Sequence, residues 1–234
     1  GNGAIYVKSA GNGFNSYGSA NCAPANSLGV SCQNTNMDPE NSIPWNIVVG
    51  ALNAEGLKAS YSTTGSSVWI SAPGGESGYS TDSGWSASNP DYLFKPAMIT
   101  ADQSGCNQGY SRYNDNSPNK FENNSNELNN ECKYTSTFNG TSSATPVLAG
   151  AVALILKANP NLTWRDLKLI LAKTAEKVDP DIAAVTVQLD GNSYEAEQAW
   201  ITNAASPTPF HYHNWYGFGR VDVDAAVDEA KKYS

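Results

Sequence analysis

The segment Asn139–Pro146 is the feature that most constrains how this chain folds, because a turn of small residues runs there directly into an apolar segment, residues 147–156. We expect a helix to begin at this turn, with Pro146 in or at the edge of its first turn, where a missing amide hydrogen costs little. The following run is apolar on every side, which predicts a buried central helix. A serine of the turn would stand at the mouth of this helix, beside unpaired N–H groups that suit a nucleophile and the oxyanion it creates. Serine is also a common helix cap, so this stretch alone leaves both interpretations open.

The composition describes a loop-rich globular protein. Of the 234 residues, 40% are apolar and only 15% are charged, and there are 20 glycines and 12 prolines. A chain of this length can bury a sizeable core as one domain. No apolar run approaches the length needed to cross a bilayer, which argues against a membrane partner. A net charge of -8 without a basic cluster argues against a nucleic-acid partner.

The four cysteines, Cys22, Cys32, Cys106 and Cys132, lie in polar segments without the Cys-x-x-Cys spacing of a metal site. An even number in such loops favours two disulfides and an oxidising compartment, so we expect a secreted or periplasmic protein. Four cysteines permit three pairings, of which the two local ones, Cys22 with Cys32 and Cys106 with Cys132, are predicted. The second would clamp residues 102–133, which read as a loop insertion in a single domain.

Short apolar runs alternating with turns and helical patterns predict an α/β fold. Buried strands are expected at residues 4–7, 47–51 and 68–72, with a shorter strand at 98–100 and a loop at 15–41. Loops at the carboxyl ends of parallel strands are where α/β proteins keep their sites. The turn at residues 9–13, which follows the first strand, is therefore a candidate site segment.

The second half of the chain predicts two further helices and a hairpin. Thr163 is a credible N-cap, with Asp166 three residues later, for a surface helix that covers the central one. A hairpin is predicted from residues 185–189 and 194–201, and a small amphipathic helix from residues 221–232.

Several motifs resemble one protein family in the order that the family has them. The stretch NGTSSATPVLAG at 139–150 resembles the nucleophile motif of the subtilisin-like serine proteases, and AGNG at 10–13 resembles their oxyanion segment. Four further stretches are similar to the kexin and furin branch: residues 6–13, 41–56, 161–168 and 213–227. The resemblance implies the carboxyl-terminal part of a subtilisin-like domain, with a mainly parallel sheet flanked by helices and incomplete at its N-terminal side.

The resemblance also implies roles for individual residues. Ser142 would be the nucleophile that forms an acyl-enzyme, and Asn12 would bind the tetrahedral oxyanion through its side-chain amide, with the Ser142 N–H as second donor. Ala10, Gly11 and Thr141, which neighbour these two, would contact substrate. Ser143 occupies a position that varies in the family and is interpreted as a neighbour. The alternative interpretation of Asn12 is purely structural, as a turn residue that tolerates left-handed backbone geometry.

The acid and base of the family precede the oxyanion segment, and the chain opens at Gly1, only eleven residues before Asn12. We therefore expect an Asp and a His from an upstream segment of the same protease, without which Ser142 stays a weak nucleophile. The chain's only histidines, His211 and His213, could complete a self-contained triad with Asp181 or Asp190. Tertiary polar contacts are the favoured role for both histidines.

Substrate preference and metal content are the least constrained properties. Kexin-like enzymes cut after basic residues, and Asp38 and Glu40 could supply the acidity that selects them, although two solvated loop carboxylates explain the same residues equally well. The family places a calcium ion near this pocket, while Thr63 stands where a furin-like enzyme has a calcium-site glutamate. A structural calcium is therefore expected only weakly, no ligands are assigned to it, and the chemistry itself needs no cofactor.

These expectations combine into one function and one alternative. The resemblance implies a serine endopeptidase that acts on protein or peptide substrates, of which this chain holds the nucleophile and oxyanion half. The alternative is a catalytically inert fragment that acts as a binding or self-associating module.

Overall fold

A computed structural model describes residues 3–15, 22–81, 90–111, 118–122, 126–203 and 209–233. Its centre is a three-stranded parallel sheet in the order β1-β2-β3. The strands are β1 (Tyr6–Ser9), β2 (Asn46–Leu52) and β3 (Val68–Pro73). The predicted α/β fold with a parallel sheet is thereby confirmed, and the second and third strands lie where the sequence placed them.

The first strand differs from its prediction in position and in burial. It begins two residues later than expected, and the Tyr6 side chain is 58% exposed. The reason is its place in the sheet, because within the described residues β1 pairs with β2 alone and forms an edge. Strand β2 lies between β1 and β3, and from Ile47 to Leu52 it is buried throughout.

The side chains of β2 alternate between two apolar layers, as the two-residue period of a strand requires. Ile47, Val49 and Ala51 face a large core shared with three helices, α2 (Thr141–Ala158), α3 (Trp164–Thr174) and α4 (Val223–Ala230). Val48 and Leu52 belong to two smaller clusters on the other face. All three helices therefore cover one face of the sheet.

Helix α2 departs from the sequence prediction in two ways. It begins at Thr141, so that Pro146 is the sixth helical residue and lies beyond the first turn. Its missing N–H leaves the Ser142 carbonyl without the bond it would otherwise accept. The helix is also not buried all round, because a stripe of its surface that includes Leu154, 53% exposed, has no cover in the described part of the chain.

The length of α2 also corrects the expectation about apolar runs. The helix has 18 residues and a mean hydropathy of 1.4, which by length and composition alone would suffice to cross a membrane. The apolar run in the sequence spans only residues 147–156, whereas the helix also includes residues 141–146 before it and 157–158 after it. Its buried side, which includes Leu148 and Ile155, packs in the core with the sheet and α4, as in the central helix of a globular domain.

Helix α3 has the N-terminus that the sequence predicted. Thr163 accepts a hydrogen bond from the Asp166 N–H (3.3 Å), and Asp166 accepts one from the Thr163 N–H (2.8 Å), which together form a capping box. The packing partners of the helix differ from the prediction, since α3 lies mainly against β3 and α4 instead of covering α2. The Trp69 indole N–H of β3 donates to the Lys168 carbonyl at 3.1 Å and fixes this contact.

The remaining elements are short. Strands β4 (Met98–Ala101) and β5 (Tyr134–Phe138) pair antiparallel, and β6 (Val185–Leu189) and β7 (Asn192–Glu197) form the predicted hairpin. Its turn has positive φ at Asp190 (50°) and Gly191 (78°), as a type I′ turn requires. A further pair, β8 (Ile201–Asn203) with β9 (Phe210–Tyr212), was not predicted as such.

The segment predicted as loop from residue 15 to 41 contains a short helix, α1 (Ala23–Ser27), and two turns of 3₁₀-helix at 35–37 and 39–42. These are too short for a helical hydrophobic period, which is why the sequence pattern missed them. Both predicted disulfides are confirmed, with Cα–Cα distances of 5.2 Å for Cys22–Cys32 and 5.0 Å for Cys106–Cys132. Parts of the predicted insertion, residues 112–117 and 123–125, lie outside the described residues, and the insertion stays a prediction.

The capping box of α3 gives a first test. Replacing Thr163 by alanine removes the oxygen that accepts from the helix N-terminus, and we expect a loss of about 1 kcal/mol in the free energy of unfolding. Urea denaturation measures this loss. The exposed Ser193→Ala on β7 is the control and should stay within about 0.5 kcal/mol of the parent. Equal losses in the two variants would contradict the capping role.

Candidate active site

The candidate site forms where the end of β1 meets the beginning of α2. Asn12 lies in the turn after β1, and its side-chain oxygen accepts hydrogen bonds from the Thr141 N–H (2.8 Å) and hydroxyl (2.9 Å). The Gly11 N–H in turn donates to the Thr141 hydroxyl at 3.1 Å. Thr141 is 1% exposed and Asn12 is exposed, so these bonds are partly buried. The two segments that carry the sequence-predicted residues are thus joined by side-chain bonds across 129 positions of sequence.

These bonds leave hydrogen-bond donors available at the helix mouth. Because Asn12 uses its oxygen on Thr141, its amide nitrogen is the part left for another partner, and no described residue accepts from it. The Ser142 N–H likewise has no acceptor among the described backbone groups, as expected in the first turn of a helix. The Ser142 side chain is exposed. An exposed hydroxyl beside free N–H donors is the arrangement that nucleophilic attack and oxyanion binding require.

Gly140 is the residue that lets the two segments approach each other. Its φ of 92° is unfavourable for any residue with a side chain, and a Cβ at this position would lie 3.1 Å from the Asn12 amide nitrogen. The glycine in front of the predicted nucleophile is therefore required by backbone geometry and by the nearness of Asn12.

The loop that carries Asn12 is held from both sides. On one side the Thr63 N–H donates to the Gly11 carbonyl (3.0 Å), and the Thr63 hydroxyl accepts from the Gly13 N–H (2.7 Å). On the other side the Gln33 N–H donates to the Gly13 carbonyl at 3.0 Å. Asn12 is thereby fixed between two bonded neighbours. Thr63, which the sequence suggested only as a departure at a calcium position, is in the structure a support of this loop.

The start of α2 is anchored to the loop that follows β3. The buried Tyr61 hydroxyl accepts from the Gly140 N–H at 2.8 Å, and the Gly74 and Gly75 carbonyls, at 3.0 and 2.6 Å, share its single proton. The Ser143 hydroxyl donates to the Gly74 carbonyl at 2.7 Å. Ser143 is thus a buried anchor, which separates it from the exposed Ser142 beside it. Sequence reasoning missed Tyr61, because nothing in its local pattern points to a residue 79 positions away.

Lys58 lies close behind the loop that carries Asn12, where it contacts Phe14. Its ammonium group is 3.4 Å from the centre of the Phe14 ring and 5.1 Å from that of Trp215. Burial lowers the pKa of Lys58 to about 7, against the opposing attraction of Glu76 and Glu197. A cation on an aromatic face is stabilising. Lys58 therefore supports Phe14, two residues beyond Asn12.

Neither histidine belongs to this site. His213 is 2% exposed, its Nδ1 accepts from the Trp215 N–H at 3.0 Å, and its ring contacts Trp200 and Tyr216. Burial lowers the pKa of His213 to about 4, and burial likewise lowers the pKa of His211. No hydrogen bond or ring contact between described residues joins either of them to Ser142. The structure thus gives no support to a triad within the chain.

The two predicted specificity carboxylates are paired with a lysine. The Lys8 ammonium lies 2.7 Å from Asp38 and 3.6 Å from Glu40. The hydrogen bond from Lys8, together with one from the Glu40 N–H, lowers the pKa of Asp38. Ala10 is buried, and its N–H donates to the Val49 carbonyl at 3.0 Å. Among the described residues no group of three His, Cys, Asp or Glu side chains could hold a metal ion.

Comparison with known proteins shows which family the chain resembles. The model of the Subtilase family matches residues 1–219. The Aeromonas extracellular serine protease of Aeromonas sobria is 40% identical over 243 residues, covering 99% of this chain and 35% of the relative. Proprotein convertase subtilisin/kexin type 5 of Homo sapiens is 36% identical over 108 residues, covering 46% of this chain and 5% of the relative.

A crystal structure of the serine protease of Aeromonas sobria matches with a TM-score of 0.83 at 36% identity, covering 100% of this chain and 38% of that chain. The chain belongs to the subtilase family of serine proteases. The predicted subtilisin-like fold and the resemblance to the kexin branch are confirmed. The chain spans about a third of the length of its Aeromonas sobria relative, where the alignment covers 35%.

The support from Thr63 can be tested on the chain alone. Thr63→Val keeps the volume and leaves the Gly13 N–H without its acceptor, so we expect a loss of about 1–3 kcal/mol in the free energy of unfolding. Amide hydrogen exchange at Gly13 should accelerate as well. Thr63→Ser retains the hydroxyl and is the matched control. If the valine and serine variants exchanged equally fast at Gly13, the hydroxyl would not be the support.

The buried neutral His213 predicts how stability depends on pH. Its pKa is about 4 in the folded protein against about 6.5 unfolded, so the unfolded chain binds more protons between these values. The contribution of His213 to the free energy of unfolding is fully present above pH 6.5. It is lost as the pH falls towards 4, by about 3 kcal/mol in total. Urea denaturation between pH 7 and 4 should show a shallower decline for His213→Phe. Parallel declines in the two proteins would contradict this assignment.

Proposed function

We propose that this chain supplies the nucleophile and the oxyanion site of a secreted subtilisin-like serine endopeptidase of the kexin type. The observation that carries the proposal is the pair of bonds from Thr141 to the Asn12 side-chain oxygen, at 2.8 and 2.9 Å. They orient the Asn12 amide group, and within the described part of the chain neither its nitrogen nor the Ser142 N–H has an acceptor. Membership of the subtilase family supports the same assignment.

The proposed reaction begins when the Ser142 hydroxyl oxygen attacks the carbonyl carbon of a peptide bond. Its proton passes to an imidazole, and the oxygen of the tetrahedral intermediate accepts hydrogen bonds from the Asn12 amide nitrogen and the Ser142 N–H. The imidazole then gives the proton to the leaving amine, and an acyl-enzyme remains. Water releases the acid in a second cycle of the same steps.

The imidazole and its aspartate are proposed to come from a further segment of the protease. His211 and His213 make no contact with Ser142, and Lys58 lies behind the loop on two aromatic rings. A seat for such a segment exists beside the serine. It consists of the outer edge of β1 and the exposed side of α2, which includes Leu154. An unpaired strand edge and an uncovered apolar stripe both favour association with another piece of chain.

The proposal includes three further properties, each with its own grounds: secretion, a substrate preference for basic residues, and a bound calcium ion. The two disulfides favour an oxidising compartment. A preference for basic residues rests on Glu40, which lines a cavity together with Ser142, and on Asp38, which pairs with Lys8. Calcium stays a prediction without an assigned set of ligands.

A fluorophosphonate probe tests the proposed function. We expect the chain by itself to react slowly and to hydrolyse no peptide, because no base activates Ser142. Adding the complementary segment with its Asp and His should give rapid labelling, confined to Ser142 by mass spectrometry. Ser142→Ala is the control and should remain unlabelled. Rapid labelling of Ser142 in the chain alone would contradict the need for an external base.

In the assembled enzyme, Asn12→Ala should lower kcat about 100- to 1000-fold, the range for removal of one oxyanion donor in subtilisin, itself a member of this family. The Michaelis constant should change little, because the interaction forms only in the transition state. Steady-state kinetics on a fluorogenic peptide measures both quantities. An unchanged kcat would remove Asn12 from the oxyanion site.

The alternative, an inert module that self-associates, rests on the exposed side of α2 and the β1 edge. Sedimentation with and without the complementary segment separates the two functions. A dimer that ignores the added segment, with no peptidase activity, would support the alternative. Formation of an active heterodimer would support the protease.

A further inference from the structure

A cavity of about 440 Å³ opens beside Ser142, between β1 and the start of α2. Ser142 lines it together with Tyr6–Ser9, Glu40, Asn46, Thr145 and Pro146. A space of this size next to the proposed nucleophile can hold one substrate side chain from near the scissile bond. The charged side chains on its wall are those of Lys8 and Glu40, so their state sets the charge that a substrate meets.

The two charges on the wall, and that of Asp38, which pairs with Lys8 but does not line the cavity, are held to different degrees. Asp38 is the most fixed, because it accepts from the Lys8 ammonium at 2.7 Å through one oxygen and from the Glu40 N–H at 3.0 Å through the other. The Glu40 side chain is 70% exposed and lies 3.6 Å from the Lys8 ammonium. Lys8, at 24% exposure, is the least accessible of the three side chains. The cation thus satisfies Asp38, while Glu40 stays open to another partner.

We propose that Lys8 is a specificity-determining residue, whose ammonium group occupies Asp38 and restricts the pocket beside Ser142 to a weak preference for cationic side chains, expressed through Glu40. This inference rests on the proposed protease function. With Lys8 in place the two charges on the wall, those of Lys8 and Glu40, cancel, and an incoming guanidinium meets the Lys8 ammonium close to the Glu40 carboxylate. Without Lys8 the wall keeps the negative charge of Glu40, Asp38 beside the pocket loses its cation, and the attraction for a cation increases.

The simpler interpretation is an exposed ion pair without consequence, since such pairs contribute little to stability. That interpretation predicts no change in selectivity when Lys8 is replaced. The position of Lys8 and Glu40 on the wall of the cavity that Ser142 lines is what distinguishes this cluster from other ion pairs of the surface, such as that of Lys231 with Asp228.

Binding of n-butylguanidinium to the chain tests the inference without peptidase activity. We expect Lys8→Met to tighten binding about 5- to 10-fold, because a repulsive charge is removed and the Glu40 carboxylate on the wall no longer has a cation beside it. Glu40→Gln should weaken binding by a similar factor. Chemical shifts of the Lys8-to-Gly11 amides report binding at this pocket. Lys157→Met is the matched control, since it removes the same charge from an exposed site 15 residues along α2, about 22 Å away and beyond the screening length.

A kinetic measurement in the assembled enzyme tests the same idea on substrates. The ratio of kcat/KM for a peptide with arginine before the scissile bond to that for one with norleucine should rise about 5- to 10-fold in Lys8→Met and stay unchanged in Lys157→Met. Equal changes for both peptides, or guanidinium binding that does not respond to Lys8→Met, would overturn the inference. The proposed function fails separately, if Ser142→Ala hydrolyses both peptides as fast as the parent.

Discussion

The hydrogen bonds between Asn12 and Thr141 are the interaction on which the candidate site depends. They connect the turn after an edge strand to the first residue of α2, and they are partly buried because Thr141 is packed at the helix start. A bond of this kind does two things at once. It fixes the distance between two segments remote in sequence, and it decides which end of an amide group faces the exposed serine. Without it, no contact between described residues would orient the Asn12 amide group relative to the start of α2.

The rest of the fold serves to place these two segments. The parallel pairing of β1 with β2 and of β2 with β3 brings three strand ends to one edge of the sheet. The core on the helical face then holds α2 against the strands, with its first turn at that edge. Thr63 supports the strand-end loop, and Gly140 gives the helix start the backbone conformation and the space it needs. Each of these contacts is local, yet together they hold a hydroxyl and two N–H donors at one point.

Much of the fold could be predicted from the sequence wherever a pattern has a local cause. The buried strands β2 and β3, the capping box at Thr163 and both disulfides follow from apolar runs, cap chemistry and short spacings, and the structure confirms all of them. Ser142 and Asn12 were singled out through the order of family motifs, and the structure brings their segments together.

What the sequence could not reveal depends on tertiary contacts. The exposure of Tyr6 depends on whether a strand has one neighbour or two, which no local pattern encodes. The sequence prediction put Pro146 too near the start of α2. The helix is capped by Gly140, which has positive φ, and it begins before the apolar run. The role of Thr63 depends on Gly13, 50 residues away in sequence, and that of Lys8 on Asp38, 30 residues away.

The Tyr61 hydroxyl, which bonds to Gly74, Gly75 and Gly140 together, has a mechanical consequence. It makes the loop after β3 and the start of α2 a single rigid unit, because neither can shift without breaking a buried bond. The position of Ser142 is therefore determined from two directions, by Asn12 on the side of β1 and by a phenol on the side of β3. A movement of the loop at residues 74 and 75 would be transmitted to the serine through Tyr61 and the backbone of Gly140.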